Sequence, residues 1–507
     1  MPPVLHLGER PLSWEDLAGI RRGGVRLALS PRARRRMAEG VQALARLQRG
    51  DRPIYGVNTG FGKLCQVRIP VAEMRRLQEN LLLSHAVGVG PLLAPEEVRL
   101  LLALKAESLA LGASGVRVSL AQALCRLFNA GILPAVPEQG SVGASGDLAP
   151  LAHLSLLLLG KGRTLDGLPG HRALARAGLK PLPLGPKEGL ALVNGTQGMT
   201  AVAAAVCLDA RELVAQADVV GAMSLEALKG TDAAFHPSAM ALRPHPGQAA
   251  SAANLRRLLA ASAIHASHKD CDKVQDAYSL RCMPQVHGAA RDALGFAGEV
   301  VLREASSVTD NPLVFRSPPA VISSGNFHGE PVAMAMDLAA IALSELGALS
   351  ERRLARLVDH DLSGLPPFLV REEGLNSGFM MAQVTAAALA SENKILSHPA
   401  SVDSIPTSAN QEDHVSMGMT AARKARQVLR HVRIILAIEA LAAAQGLEFL
   451  KPLKAGKGAD AAYRALRKRV KPLRRDREMG PDLLAAEGML ARGELRAAAE
   501  AAVGRLR

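Results

Sequence analysis

The sequence predicts a mainly α fold, in which a smaller N-terminal part precedes a long central helical bundle. Two observations lead to this prediction. Aromatic residues make up only 3% of the 507 residues and apolar residues 48%, so the core must be aliphatic, which favours helices over sheets. After residue 196, long apolar segments with helical periodicity follow one another. We therefore expect an N-terminal part over residues 1–200, and a long-helix bundle with C-terminal helices over 201–507.

The N-terminal part is predicted to combine short elements. Residues 2–7 indicate a strand, and an arginine-rich helix follows it. Helical periodicity is clear over 71–83, 95–111 and 120–130. The Pro- and Gly-rich interval 160–189 predicts loops with one or two short strands.

The C-terminal part is predicted to consist of long helices. The segments with helical period are 196–228, 245–268, 289–304, 331–357, 378–397 and 421–445. Helices of this length, packed side by side, make an extended bundle.

The net charge of +14 raises the possibility of a basic, non-catalytic helical protein that binds nucleic acid. Basic residues are densest over 451–477, but Tyr463 is the only aromatic residue there. Single-strand binders need interleaved stacking residues, so a solvated helix face is the better interpretation. We predict no nucleic-acid partner.

Cysteine usage and hydropathy indicate a cytoplasmic protein. Five cysteines at irregular spacings give no disulfide framework, and the N-terminus has no signal-peptide pattern. The apolar stretches at 148–159 and 434–450 are shorter than the roughly 20 residues that a membrane span needs. His265, His268 and Cys271 have helical spacing but lack a fourth ligand, so we predict no metal site.

The loop at residues 140–150 carries the tripeptide Ala144-Ser145-Gly146. The Gly146 nitrogen, with no side chain beside it, can reach the carbonyl carbon of Ala144. Ring closure with loss of water, followed by loss of the Ser145 hydroxyl, gives a methylidene-imidazolone with an electron-poor carbon. Nearby glycines relax the backbone enough for this compressed geometry. Such an electrophile activates an amine or an aromatic ring.

A second copy of the tripeptide, Ala113-Ser114-Gly115, means that three letters alone are no signal. This copy is predicted to be a helix C-terminus closed by Gly115. The alternative interpretation of the 140–150 loop is an ordinary turn before a helix, with Asp147 as its N-cap.

Further polar, glycine-bearing motifs lie between the predicted helices, where binding and catalytic residues concentrate. They occupy residues 55–62, 84–88, 192–197, 275–281, 309–312, 324–329 and 408–414. Two of the three tyrosines, Tyr55 and Tyr278, fall inside them. In a chain poor in aromatic residues, this placement indicates chemistry more than packing.

Taken in this order, the motifs resemble those of the aromatic amino acid ammonia-lyases, a family that builds a 4-methylidene-imidazol-5-one (MIO) group. Its members include histidine, phenylalanine and tyrosine ammonia-lyases and related aminomutases. The resemblance implies a carbon–nitrogen lyase in which Ala144, Ser145 and Gly146 form the MIO group by themselves, with no dissociable cofactor. It also implies a homotetramer whose sites combine residues of several subunits. Whether the amine or the ring of the substrate attacks the MIO group stays open.

The resemblance also implies a role for each residue of the site. Tyr55 is the base for the β-proton, and Arg281 pairs with the substrate carboxylate. Asn194 and Tyr278 lie near the electrophile and either hold developing charge or assist ring closure. Gln275 and Phe327 line the site, and His85 and Glu412 contact the ring of the substrate.

The ring end of the site favours histidine as the substrate. His85 and Glu412 offer polar partners to an imidazole, whereas a phenyl ring leaves them unpaired at a cost of roughly 1–3 kcal/mol each. We therefore expect conversion of L-histidine to urocanate and ammonia, the first step of histidine degradation. Phenylalanine or tyrosine, as the substrate of an ammonia-lyase or aminomutase, is the alternative.

Overall fold

The computed structural model describes residues 2–49, 53–271 and 273–507. The chain divides into two compact units, each assembled from three segments. The first comprises Met1–Leu208, Ala297–Asp337 and Pro399–Arg423, and the second comprises Asp209–Phe296, Leu338–His398 and Lys424–Arg507. The change in helix length predicts a division near residue 200. The first change of unit follows Leu208, and each unit also takes up later segments.

Helices dominate both units, and the prediction of a mainly α fold is confirmed. The helices are α1 (Trp14–Arg22), α2 (Pro31–Gln48), α3 (Met74–His85), α4 (Pro95–Ala110), α5 (Val118–Asn129), α6 (Leu148–Leu156), α7 (Gly170–Arg176), α8 (Glu188–Val193), α9 (Gln197–Ala227), α10 (Pro237–Ala241), α11 (Pro246–Leu258), α12 (Ala263–Ala266), α13 (Tyr278–Arg281), α14 (Met283–Ala305), α15 (Glu330–Val358), α16 (His360–Ser363), α17 (Met380–Leu396), α18 (Gly418–Phe449), α19 (Lys457–Arg469), α20 (Gly480–Ala491) and α21 (Glu494–Val503).

Strands are short, and in the described part of the chain they form three two-stranded sheets. The strands are β1 (Val4–Leu7), β2 (Arg26–Leu29), β3 (Val89–Leu92), β4 (Pro137–Gln139), β5 (Leu313–Arg316) and β6 (Pro319–Ile322). β1 and β2 are parallel, whereas β3–β4 and β5–β6 are antiparallel. β4 lies directly before the loop that carries Ser145.

Two local predictions are wrong. The predicted helix at 245–268 is broken into α11 and α12, because Ala261 has a positive φ of 60° and Ser262 caps a new helix by accepting from the His265 N–H. The interval 160–189 contains α7 and isolated β-bridges instead of strands among its described residues. Here Pro169, with φ fixed near −60° and an extended ψ of 145°, is the residue directly before α7.

Helix α15 is a long apolar segment that the sequence analysis did not consider as a membrane span. It is longer than the stretches at 148–159 and 434–450, and in the described chain it alone meets the length and composition of a membrane-crossing helix. The most apolar window of α15 is 61% buried, and core helices of soluble proteins meet the same criteria.

The second unit encloses a buried ion pair. Arg353 donates from Nε and Nη2 to the two carboxylate oxygens of Glu439, at 2.6 and 2.9 Å. The hydroxyls of Ser224 and Ser350 donate to the same carboxylate at 2.6 and 2.5 Å. Both charged side chains are fully buried, so the pairing and the two hydroxyls together compensate the loss of hydration.

Candidate active site

A cavity of about 1210 Å³ lies in the first unit, where loops from distant parts of the sequence converge. Seven of the predicted site residues line it, namely Tyr55, His85, Ala144, Ser145, Asn194, Phe327 and Glu412. Gly146 follows two of them directly in the chain. The fold therefore brings together most of the residues that the motifs indicated.

Hydrogen bonds hold both the side-chain hydroxyl and the backbone carbonyl of Ser145. Its hydroxyl, in the cavity wall, donates to Oε1 of Glu412 at 3.0 Å. Its backbone carbonyl oxygen accepts from the side-chain Nδ2 of Asn194 at 2.9 Å and from the Gly195 N–H at 3.3 Å. Two N–H donors thus point at one carbonyl oxygen.

Gly146 lies so close to Gly195 that no other residue type fits. Its φ is +73°, and a Cβ atom placed on it would stand 2.1 Å from the carbonyl oxygen of Gly195. The Asp147 N–H donates to that same oxygen at 2.8 Å. Glycine is required here both by the left-handed backbone and by the close approach.

The other side of the loop is fastened to later segments of the first unit. The carbonyl oxygen of Gly143 accepts from the Gly329 N–H at 3.1 Å and from the Ser416 hydroxyl at 3.0 Å. The Met417 N–H donates to the carbonyl oxygen of Val142 at 2.8 Å. The loop is thus clamped on both sides of Ser145.

Asp147 has a different role from the N-cap that the turn interpretation gives it. Its side chain makes no capping hydrogen bond to α6. Instead its carboxylate accepts from the Met199 N–H in the first turn of α9 and from the Ser141 hydroxyl, each at 2.7 Å. Burial raises the pKa of Asp147 to about 6, against these hydrogen bonds, which lower it.

Tyr55 places its phenol group in the cavity. Its oxygen accepts from the Gly62 N–H at 3.0 Å, and its ring meets Phe61 edge to face with centroids 6.5 Å apart. Burial raises the pKa of Tyr55, and the Glu412 carboxylate adds to the increase, whereas the Gly62 N–H lowers it. The described surroundings therefore favour the protonated phenol in this chain.

Glu412 is held at the cavity by a tight turn. Residues 408–410 all have positive φ, and the turn brings Glu412 back onto Thr407. The backbones of these two residues exchange hydrogen bonds, and the Thr407 hydroxyl donates to Oε2 of Glu412 at 2.6 Å. The second oxygen, Oε1, accepts from Ser145. The carboxylate is therefore fixed in one orientation.

His85 lies at the C-terminal end of α3, and its Nδ1 is 3.0 Å from the Ser84 hydroxyl. Burial lowers its pKa, although the nearby Glu412 carboxylate opposes the shift. A neutral imidazole next to a carboxylate can both donate and accept hydrogen bonds. Phe327 is half-buried in the cavity wall and supplies apolar surface.

Gln275, Tyr278 and Arg281 belong to the second unit, and among the described residues they do not line the cavity of the first. The Tyr278 side chain is 69% exposed, and the Arg281 guanidinium stands 4.6 Å from the centre of its ring. The Nε of Arg281 is buried and has no hydrogen-bond partner within the described part of the chain.

Two contributors to the site were missed by the sequence analysis. Lys105 of α4 donates from Nζ to the backbone oxygen of Asn194 at 2.7 Å. Asp147 was considered only as a helix cap. A signal for Lys105 was available, since it is the only charge in the apolar run 100–106. Nothing in the sequence connects Asp147 to α9, which begins fifty positions later.

Comparison with known proteins points to one family. The sequence pattern of aromatic amino acid lyases matches residues 12–468. A histidine ammonia-lyase of Anaeromyxobacter sp. (strain K) is 53% identical over 505 residues, which cover 97% of this chain and 99% of that protein. The crystal structure of histidine ammonia-lyase from Trypanosoma cruzi has a TM-score of 0.91 and 41% identity, covering 99% of this chain and 96% of the other. Tyrosine aminomutase from Streptomyces globisporus has a TM-score of 0.94 and 38% identity, covering 100% of both chains.

Proposed function

Because the chain belongs to the aromatic amino acid lyase family, we propose that it eliminates ammonia from L-histidine to give urocanate, the first step of histidine degradation. The family and the ammonia-lyase class predicted from the motifs are confirmed by the matches. Relatives named histidine ammonia-lyase, which are 52–53% identical to this chain over nearly its whole length, support histidine as the substrate.

The observation that carries the choice of histidine is the orientation of Glu412. Its Oε2 is held by the Thr407 hydroxyl, and its Oε1 faces the position of the Ser145 hydroxyl, which is lost when the MIO group forms; His85 lines the same cavity. An imidazole N–H can donate to this carboxylate, and the negative charge stabilises a protonated ring. A phenyl ring in the same place offers this carboxylate no donor, so only the Thr407 hydroxyl would compensate its loss of hydration.

The residues around Ser145 fit the formation of an MIO group. Only glycine can occupy position 146, so its nitrogen is free to approach the carbonyl carbon of Ala144. The buried Oδ1 of Asn194 has no hydrogen-bond partner among the described residues, and its Nδ2 holds the Ser145 carbonyl. When formed, the group supplies an electrophile to the amine or the ring of the substrate.

The protein residues around the electrophile supply proton transfer and binding. Tyr55 removes the β-proton, and a phenol that accepts the Gly62 N–H gains stabilisation of its phenolate form. Because burial raises its pKa, a positive charge brought by the substrate ammonium group would aid this deprotonation.

The carboxylate of the substrate pairs with Arg281, assisted by Tyr278 and Gln275. As the resemblance implies, we propose that these residues reach a site from another copy of the chain, in a homotetramer whose sites are shared among subunits. The exposed Tyr278 ring and the unpartnered Arg281 Nε fit such a role. A monomer with full activity in size-exclusion chromatography would contradict this arrangement.

The five cysteines are all free, which fits a cytoplasmic location.

A parallel assay of three amino acids tests the substrate. The enzyme is incubated with L-histidine, L-phenylalanine and L-tyrosine, and urocanate, cinnamate and coumarate are followed by absorbance. We expect urocanate to form fastest, with one ammonia released for each molecule. Faster formation of cinnamate or coumarate would contradict histidine as the preferred substrate, but it would still support an ammonia-lyase reaction. A β-amino acid product without ammonia would indicate an aminomutase.

A further inference from the structure

Lys105 is a buried charge that the proposed reaction does not use. It lies in α4 with 1% of its surface exposed, among apolar residues. Burial lowers its pKa to about 7, and the nearby Lys187 lowers it further, while Asp310 and Asp147 oppose the decrease. A lysine in such a place is costly to bury, so its contacts must compensate the cost.

The direct partners of Lys105 are neutral oxygens. Its Nζ donates to the backbone oxygen of Asn194 at 2.7 Å and lies 3.4 Å from Oε1 of Gln197. Asp310, the carboxylate that most raises its pKa, is paired with Lys187 at 2.5 Å. The charge of Lys105 is therefore directed at one peptide group, the one that joins Asn194 to Gly195.

That peptide group touches the Ser145 carbonyl on its other side. The Gly195 N–H belongs to the same peptide as the oxygen that Lys105 binds, and it donates to Ser145 O at 3.3 Å. The Asn194 side chain donates to the same oxygen at 2.9 Å. A cation on the carbonyl end of a peptide strengthens the N–H at the other end, because hydrogen bonds in series polarise one another.

The Ser145 carbonyl is the group that develops charge when Ser145 loses water. In this step the Cα–H and Cβ–Oγ bonds break, a Cα=Cβ double bond forms, and the proton and the hydroxide leave as one water molecule. Loss of the proton moves negative charge onto the carbonyl oxygen next to Cα. Two preorganised N–H donors stabilise that charge, in the manner of an oxyanion hole.

We infer that Lys105 is a positioning residue for this dehydration: by holding and polarising the Asn194–Gly195 peptide, it aims two N–H donors at the carbonyl oxygen of Ser145. The inference rests on the proposed function, because it assumes that the Ala144–Gly146 loop matures into the MIO group. It adds a residue outside the cavity wall to the machinery that makes the electrophile.

The mass of the intact chain measures the dehydration independently of catalysis. Ring closure removes one water and dehydration a second, so mass spectrometry distinguishes the uncyclised, cyclised and fully dehydrated chains. Wild type, Lys105→Met, Lys105→Gln and Lys105→Arg are purified at set times after a pulse of expression, and folding is checked by circular dichroism. Glu107→Gln is the matched control, since Glu107 is a buried titratable group on the same helix that accepts from the Gly8 N–H instead.

We expect dehydration to slow on the order of ten- to a hundredfold in Lys105→Met, less than for the removal of a direct oxyanion donor. Lys105→Gln should be intermediate, and Lys105→Arg and Glu107→Gln should resemble wild type. If Lys105→Met does not fold, the inference is tested by comparing the dehydration rates of Lys105→Gln and Lys105→Arg. A folded Met or Gln variant that loses both waters at the wild-type rate would overturn the inference alone. A wild-type chain that loses no water would overturn the MIO group and the inference together.

Discussion

Replacing each of the two serines of the Ala-Ser-Gly copies by alanine separates the reactive copy from the inert one. Ser145→Ala removes a hydroxyl in the cavity wall that donates to Glu412 at 3.0 Å. Ser114→Ala removes a fully buried hydroxyl that has no hydrogen-bond partner among the described residues. The two changes are the same chemically but differ in surroundings.

The structure predicts that both variants fold. A hydrogen bond to a charged group contributes about 1.5–3 kcal/mol, and Glu412 keeps the Thr407 hydroxyl, so relative to the chain before dehydration the loss in Ser145→Ala lies at the lower end. Relative to the mature chain, which has lost the same hydroxyl, this hydrogen bond makes no difference. Removal of the unpartnered Ser114 hydroxyl relieves a desolvation cost of roughly 1–3 kcal/mol, so that variant is neutral or slightly stabilised. Neither change approaches the 5–15 kcal/mol or so by which proteins are stable.

The chemical effect should be far larger for Ser145→Ala. Without the hydroxyl no methylidene carbon can form, so deamination of L-histidine should fall by about a thousandfold or more, at least 4 kcal/mol at roughly 1.4 kcal/mol for each factor of ten. Circular dichroism checks folding, intact mass counts the waters lost, and urocanate absorbance gives the rate. Equal rates for the two variants, or a Ser145→Ala chain that loses two waters, would refute the assignment of the loop.

The remaining predictions concern the base, the ring end of the site, stability and pH. Tyr55→Phe should lower kcat by about 10²–10⁴-fold with the intact-mass deficit unchanged, because it removes only the base. Glu412→Gln should lower the rate with L-histidine by roughly ten- to a thousandfold, the range that a lost charge near an imidazolium gives, while the melting temperature stays close to wild type. Arg353→Met leaves the buried Glu439 carboxylate unpaired and should cost about 3–5 kcal/mol, seen as a lower melting temperature in calorimetry, and adding Glu439→Gln should recover part of it. Burial raises the pKa of Asp147 from 3.8 to about 6, so the folded chain binds its proton more tightly than the unfolded chain. The stability that this group contributes falls by about 3 kcal/mol from well below pH 3.8 to well above pH 6, and about 2 kcal/mol of that is lost between pH 4 and 6. Asp147→Asn should therefore be least stable relative to wild type at low pH, and a difference in melting temperature that does not change between pH 4.5 and 7 would contradict this.

Helical periodicity was a sufficient guide to the long helices because their apolar faces are set by local spacing. It predicted the cores of α9, α15 and α18 to within a few residues. It failed at α11 and α12, where the sequence stays helical in period although one residue adopts a left-handed backbone. Hydrophobic periodicity indicates which face of a segment is buried, but it does not indicate a single residue whose backbone conformation ends a helix.

The candidate site could be predicted only where a motif carries its own chemistry. Ser145 and Tyr55 stand out by residue type, and the family resemblance supplied partners such as Glu412. Lys105 and Asp147 could not be found in this way, because each acts through a backbone group of a distant segment. Every residue other than proline carries the same backbone N–H and C=O groups. The sequence therefore does not mark which residue supplies the backbone partner of such a hydrogen bond.

The two Ala-Ser-Gly copies define what separates a reactive tripeptide from an inert one. Both end in a glycine with positive φ, +66° at Gly115 and +73° at Gly146, so backbone freedom does not distinguish them. Ser145 faces a cavity and its carbonyl oxygen accepts from two N–H donors, whereas the Ser114 hydroxyl is buried in the core with no partner among the residues that the structure describes. Dehydration needs a route for the departing hydroxide and donors for the developing charge, and only the second copy has both. The surroundings of the serine, built from segments far away in the sequence, therefore decide the reactivity that the three letters merely permit.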